Sequence, residues 1–104
     1  MIIWSEKLYI GKKMARGYKW ARWKLSHGRP VRNVFLITEP TNADNLFDVL
    51  PSKELLFPYH KRREIRVYGI AKNHGEAMEM VTRMVEDMYR DTGELCSKEY
   101  FVKE

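Results

Sequence analysis

The chain has 104 residues, of which 44% are hydrophobic, with 19 Lys or Arg against 14 Asp or Glu. That composition builds one ordinary folded domain spanning 1–104 and excludes a disordered chain. The single cysteine, Cys96, excludes an intramolecular disulfide framework or a thiolate metal cluster and points to a reducing, cytoplasmic setting. No apolar run approaches the ~20 residues that cross a bilayer. Met1 to Glu6 lacks the basic-then-apolar pattern of a signal peptide.

Ile2 to Ile10 is rich in β-branched and aromatic residues, and in an extended chain Ile2, Trp4, Leu8 and Ile10 share one face. Glu6 interrupts that face, which suits a strand that sits near a sheet edge or emerges late. From Lys12 to Gly28 the helical template fits better. Met14, Tyr18, Ala21 and Leu25 recur at spacings of four, three and four, the stripe of a helix packed on a core. Gly17 weakens the middle of that helix, and Gly28 followed by Pro30 marks its end. Val31 to Thr38 reads as a strand covered on both sides, because Val34, Phe35, Leu36 and Ile37 are apolar on both faces.

Pro40 ends that strand, and Thr41 with Asp44 predicts a short capped helix running to Leu50 before Pro51. Ser52 to Phe57 adds at most another turn. Glu64 to Ala71 predicts a further strand, with Gly69 marking a bulge or a close backbone approach. The last helix is capped by Asn73, with Glu76 placed three residues on as in a capping box, and closes at Gly93. Its buried stripe is Ala77, Met80, Val81, Met84, Val85 and Met88, with Met78 and Tyr89 flanking it. Glu99 to Val102 predicts a final short strand. The expected order is β-α-β-(short α)-β-α-β, an α+β, ferredoxin-like sandwich with both main helices on one face of a four-stranded sheet. Glu39 to Arg63 is then a long excursion between its halves.

Charge is distributed unevenly along this order. Lys7 to Thr38 holds nine basic residues and no Asp or Glu, whereas the rest of the chain holds ten basic and fourteen acidic residues. A segment of +9 thus faces a remainder of −4, which attracts polyanions and also favours self-association. On the first helix, with the apolar stripe turned inward, Lys12, Arg16, Lys19 and Trp23 lie opposite, with Lys13 and Trp20 beside them. Cations neutralise phosphates and indoles offer stacking platforms for bases. The candidate polyanion surface is therefore Lys12, Lys13, Arg16, Lys19, Trp20, Arg22, Trp23 and Lys24. Lys61, Arg62 and Arg63, next to His60, form a second rim if the fold brings them close.

Two competing readings use other chemistry. In one, the same indoles are covered, either by Phe47, Leu50, Leu55, Leu56, Phe57 and Tyr59 of the excursion or by a second copy of the chain, making a homo-oligomeric interaction module. In the other, the protein is a small enzyme or binds a phosphorylated compound at the start of the last helix near His74. Glu76 opposes an anion there. The catalytic and metal signatures are thin: there is no phosphate-cradling glycine loop, and His27, His60 and His74 are dispersed. No cofactor is expected. The leading expectation is a non-catalytic binding module for nucleic acid or another polyanion.

Overall fold

The computed structural model describes residues 2–29, 31–42, 44–56, 64–95 and 100–101. Four strands form one mixed sheet: β1 (Ile2–Ile10), β2 (Phe35–Thr38), β3 (Asp48–Pro51) and β4 (Ile65–Ala71). Two helices accompany it, α1 (Tyr18–Ser26) and α2 (His74–Thr92). The sheet order is β1-β4-β2-β3, with β1 parallel to β4 and both the other pairings antiparallel.

This order replaces the ferredoxin-like expectation. With β4 inserted between β1 and β2, the chain running β1-α1-β2 returns antiparallel, so no right-handed parallel crossover governs where α1 packs. The two helices lie on opposite faces of the sheet. Successive strand residues point to opposite faces, and the core divides accordingly. Leu36, Ile65, Val67 and Ile70 pack with Ala21 and Leu25 of α1, together with Met14, Val31, Val34 and Leu55. Ile37, Tyr68 and Ala71 pack with Ala77, Met80, Met84 and Met88 of α2, and with Tyr100 and Phe101. Both interior strands are thus apolar on two sides because each side carries a helix.

The strand irregularities follow from the side chains. Ile2, Trp4, Leu8 and Ile10 do share one face, against the α1 core. Pairing with β4 jumps from Trp4↔Val67 to Tyr9↔Gly69, so five residues of β1 match two of β4 and the intervening chain bulges. Glu6 and Lys7 are the exposed residues of that bulge. Gly69 sits at a second irregularity, where β2 pairing steps from Ile37↔Gly69 to Thr38↔Val67. Of the two expectations for Gly69 the irregular pairing answers to the bulge, and a Cβ there would stand 2.6 Å from the Met80 sulfur, so glycine makes room for a side chain of α2 rather than for another backbone.

Three further expectations change. The short helix ending at Leu50 is instead a turn followed by β3, because Thr41 is not a helix cap. The Thr41 amide and hydroxyl both donate to the Asp48 carboxylate, 3.0 Å each, and the Asn42 side chain accepts from the Asp44 amide. That loop delivers Val49 and Leu50 to the edge of β2. Tyr100 and Phe101 have helical rather than extended backbone, and the rest of the expected last strand lies outside the described residues. Finally, β2 begins only at Phe35. Asn33 has φ 56°, while Val31 and Val34 bury themselves from irregular backbone tied down by Ser52, whose amide and hydroxyl donate to the carbonyls of Val34 and Val31.

Candidate functional site

The expected single helix from Lys12 to Gly28 breaks at Gly17 into a 3₁₀ turn, Lys12–Met14, and α1. Gly17 is the N-cap of α1 and supplies no side-chain cap. At the other end, the amides of Gly28 and Arg29 donate to the carbonyls of Leu25 and Lys24 at 3.1 and 2.8 Å, with Gly28 at φ 71°. That is a Schellman closure, which glycine suits because the left-handed conformation crowds a Cβ. Met14, Ala21 and Leu25 are buried and Tyr18 is half-buried, so the stripe read from spacing is the packed face.

The opposite face is open. Trp20 is 60% exposed and Trp23 53%, so no part of the described excursion, residues 39–42 and 44–56, seals either indole. Leu50 and Leu55 of the excursion pack into the core beneath α1 instead. Arg16 and Lys19 are exposed on the same helix region. Lys24 is half-buried, with its ammonium 4.4 Å from the Trp20 ring centroid. Trp23 stacks on His27 with centroids 4.3 Å apart, and the Arg29 guanidinium carbon lies 5.9 Å from the Trp23 centroid. His27 Nδ1 donates to the Trp23 carbonyl at 2.7 Å, which locks the imidazole beside the indole. Cation–π contacts of this kind orient the charged group and the ring together.

The other expected site residues are placed differently. Arg22 is half-buried and turns toward β1, donating from Nη1 to the Tyr18 hydroxyl at 2.8 Å and lying 5.2 Å from the Trp4 ring. Trp4 in turn donates its indole N–H to Ser26. These contacts fasten α1 to the sheet, so Arg22 supports the surface more than it offers charge. Lys12 and Lys13 are exposed but line a groove with Glu76, Glu79 and Arg83, where carboxylates offset their charge. Lys61, Arg62 and Arg63, with His60, lie outside the described residues. The structure therefore brings together Arg16, Lys19, Trp20, Trp23 and Lys24. Sequence reasoning missed His27 and Arg29, although the i,i+4 spacing of Trp23 and His27 was visible.

The start of α2 is closed to anions. The Asn73 side chain accepts from the Glu76 amide at 2.8 Å, as a cap should. The Glu76 carboxylate does not return to the Asn73 amide, as a capping box would require. It accepts from the amides of Lys72 and Lys13, both at 2.8 Å, and so ties the 3₁₀ turn to α2. His74 packs edge-on against Phe35. Among the described residues no cluster of three His, Cys, Asp or Glu converges to hold a metal, and no helix is long and apolar enough to cross a membrane. No protein-family model, curated protein or solved structure matches the chain, so its functional reading rests on its own residues.

Proposed function

We propose that the protein is a binding module that takes nucleic acid, or a polyanion like it, on the outer face of α1. One observation carries this reading: two indoles more than half exposed on a segment free of Asp and Glu, each beside cations. Exposed tryptophan is costly unless it is used, since large apolar side chains otherwise bury. Base stacking on an indole contributes about 1–3 kcal/mol per base, and Arg16, Lys19, Lys24 and Arg29 supply phosphate neutralisation around it. Stacking requires unstacked bases, which favours single strands over duplex.

Self-association through the same indoles is the second reading, and charge weighs against its simplest form. A two-fold interface places each patch on its own copy, which would set Arg16, Lys19 and Lys24 against like charges. Complementary charge would need a head-to-tail contact with the acidic side of another copy, and such contacts form rings or filaments rather than closed dimers.

The test is a titration with short single-stranded and duplex oligonucleotides, following tryptophan emission at low and at physiological salt. Trp4 is half-buried, so the Trp20→Phe/Trp23→Phe variant supplies the baseline. We expect saturable quenching by single strands that survives physiological salt, and its loss in Arg16→Glu/Lys19→Glu with the fold intact. Unchanged affinity in that variant, or a signal that vanishes entirely at physiological salt, would overturn the reading. Concentration-dependent mass by light scattering would transfer it to self-assembly.

A further inference from the structure

On the α2 face of the sheet, at the end of β4 that α2 leaves uncovered, lies a cavity of about 290 Å³. Its lining includes Ile3 of β1, Arg66 and Tyr68 of β4, and the rings of Tyr100 and Phe101, with Glu6 and Lys7 of the β1 bulge also contributing. The size is at the small end for ligand pockets, and its aromatic and aliphatic walls are interleaved with Ser5, Glu6, Lys7 and Arg66. The Tyr68 ring stacks on Phe101 with centroids 4.7 Å apart, and the Lys7 ammonium lies 4.1 Å from the Tyr100 centroid.

Two features here are not explained by folding. The Tyr68 hydroxyl is buried and is the one side-chain polar atom among the described residues that is buried without a hydrogen-bond partner. Such a group forfeits its hydration for nothing, at a cost usually avoided in native proteins. Arg66 is half-buried in the same lining, yet no carboxylate lies within ion-pair distance of it among the described residues. A packed core would more simply place Phe at 68 and an aliphatic residue at 66.

We propose that this cavity binds a small aromatic carboxylate, its carboxylate held by Arg66 and, with a small displacement of the Tyr68 ring, by the Tyr68 hydroxyl, and its ring lodged against Tyr100 and Phe101. Arg suits a carboxylate because its planar fork matches the two oxygens. Burial, with the negative charge of Glu39, raises the Tyr68 phenol to about 12 against the opposing effect of Arg66, so the hydroxyl is a proton donor at neutral pH. Charge selects a single negative group. Lys7, set over the Tyr100 ring, is offset by Glu6 beside it, which leaves Arg66 as the cation for one negative group rather than for a dianionic phosphoryl group. The site is separate from α1, which packs on the other face.

The test is amide chemical-shift mapping of the full chain during titration with benzoate, with benzamide as the neutral isostere. Saturable shifts should appear at Ile3, Arg66, Tyr68 and Phe101, with benzoate at least tenfold tighter than benzamide. Arg66→Gln and Tyr68→Phe should each weaken benzoate about tenfold, the scale of one lost hydrogen bond to a charged group. Tyr68→Phe removes only an unpartnered hydroxyl, so its melting temperature should equal or exceed that of the parent. Arg16→Glu/Lys19→Glu should bind benzoate normally, which separates this site from the α1 reading. No saturation by benzoate, equal affinity for benzamide, or full affinity in both cavity variants would each overturn the proposal.

Discussion

The two helices make the instructive comparison. α1 runs nine residues, carries no carboxylate and lacks a side-chain cap, and of its own residues it buries only Ala21 and Leu25. α2 runs nineteen, is capped by Asn73 and closed by Gly93, and buries Ala77, Met80, Met84 and Met88. It carries five carboxylates and two guanidiniums. The large aromatic side chains are distributed in the opposite sense to need: α1, which most lacks core contacts, leaves Trp20 and Trp23 in solvent. α2 is therefore the helix that stabilises the fold, and α1 is the helix that presents a surface. α1 is held by its neighbours, through Trp4, Ser26 and Arg22, rather than by its own propensity.

That contrast can be broken most decisively in the core. Met84→Ala should cost about 2–5 kcal/mol, because its cavity lies where the sheet and α2 interlock. Trp20→Ala should change stability by less than about 0.5 kcal/mol, as surface substitutions do. Chemical denaturation of both variants measures this, and a Trp20 loss as large as that of Met84 would dissolve the distinction. For binding the ranking reverses. Trp20→Ala and Trp23→Ala should each weaken a labelled single-stranded oligonucleotide by about 1–3 kcal/mol in fluorescence anisotropy, with Met84→Val near parental affinity.

A smaller effect separates the helix ends. Asn73→Ala should cost about 1 kcal/mol by thermal unfolding, the usual value of a lost cap. Gly17, which has no capping bond to lose, should tolerate replacement by Asn without destabilisation.

The smallest prediction concerns pH. Tyr9, Tyr68 and Tyr100 all belong to the α2 side. Tyr9 is raised by burial and then by its hydrogen bond to Asp87, 2.6 Å away. Tyr100 is raised first by its hydrogen bond to Asp91 and then by burial. Groups raised in the folded state hold their protons when the unfolded chain has lost them, so they stabilise fully below about pH 10 and less as pH climbs beyond it. Asp91 shows the opposite shift, lowered chiefly by Tyr100, so its contribution is present above the usual carboxylate range and fades as pH falls into it. Melting temperature followed from pH 8 to pH 12 should decline above ~10. The decline should be shallower in Tyr100→Phe, and an unchanged slope would remove Tyr100 from the account.

Much of this was readable before the structure. Strand β4 and helix α2 appear within a residue of the expected bounds, because a continuous apolar run and a capped 3.6-residue stripe are unambiguous local patterns. The wheel of α1 put Trp20 and Trp23 on its outer side, but it left open whether the excursion covers them, which the exposed indoles decide. Other readings failed where local patterns compete. Thr41, Asp44 and the residues to Leu50 carry helix-start chemistry, yet Asn42 and Asp48 use the same groups to close a turn. Lys12 and Lys13 left the candidate surface for a related reason: a helical wheel through Gly17 assumes one straight helix, and the break moved them next to Glu76 and Glu79.

By itself, the sequence determined the apolar stripes, the caps, and a basic segment with indoles on its outer side, since each depends on spacing within one element. Only the tertiary structure decided that the helices take opposite faces, that β4 lies between β1 and β2, and that an unpartnered Tyr68 meets Arg66 beside a cavity. The physical reason is the reach of the forces involved. Hydrogen-bonded turns and amphipathic periodicity act over a few residues, whereas strand order follows from which whole arrangement covers both apolar faces of β2 and β4 at once. The double-sided hydrophobicity of those strands already demanded two covering layers, and the positions of the helices satisfy that demand.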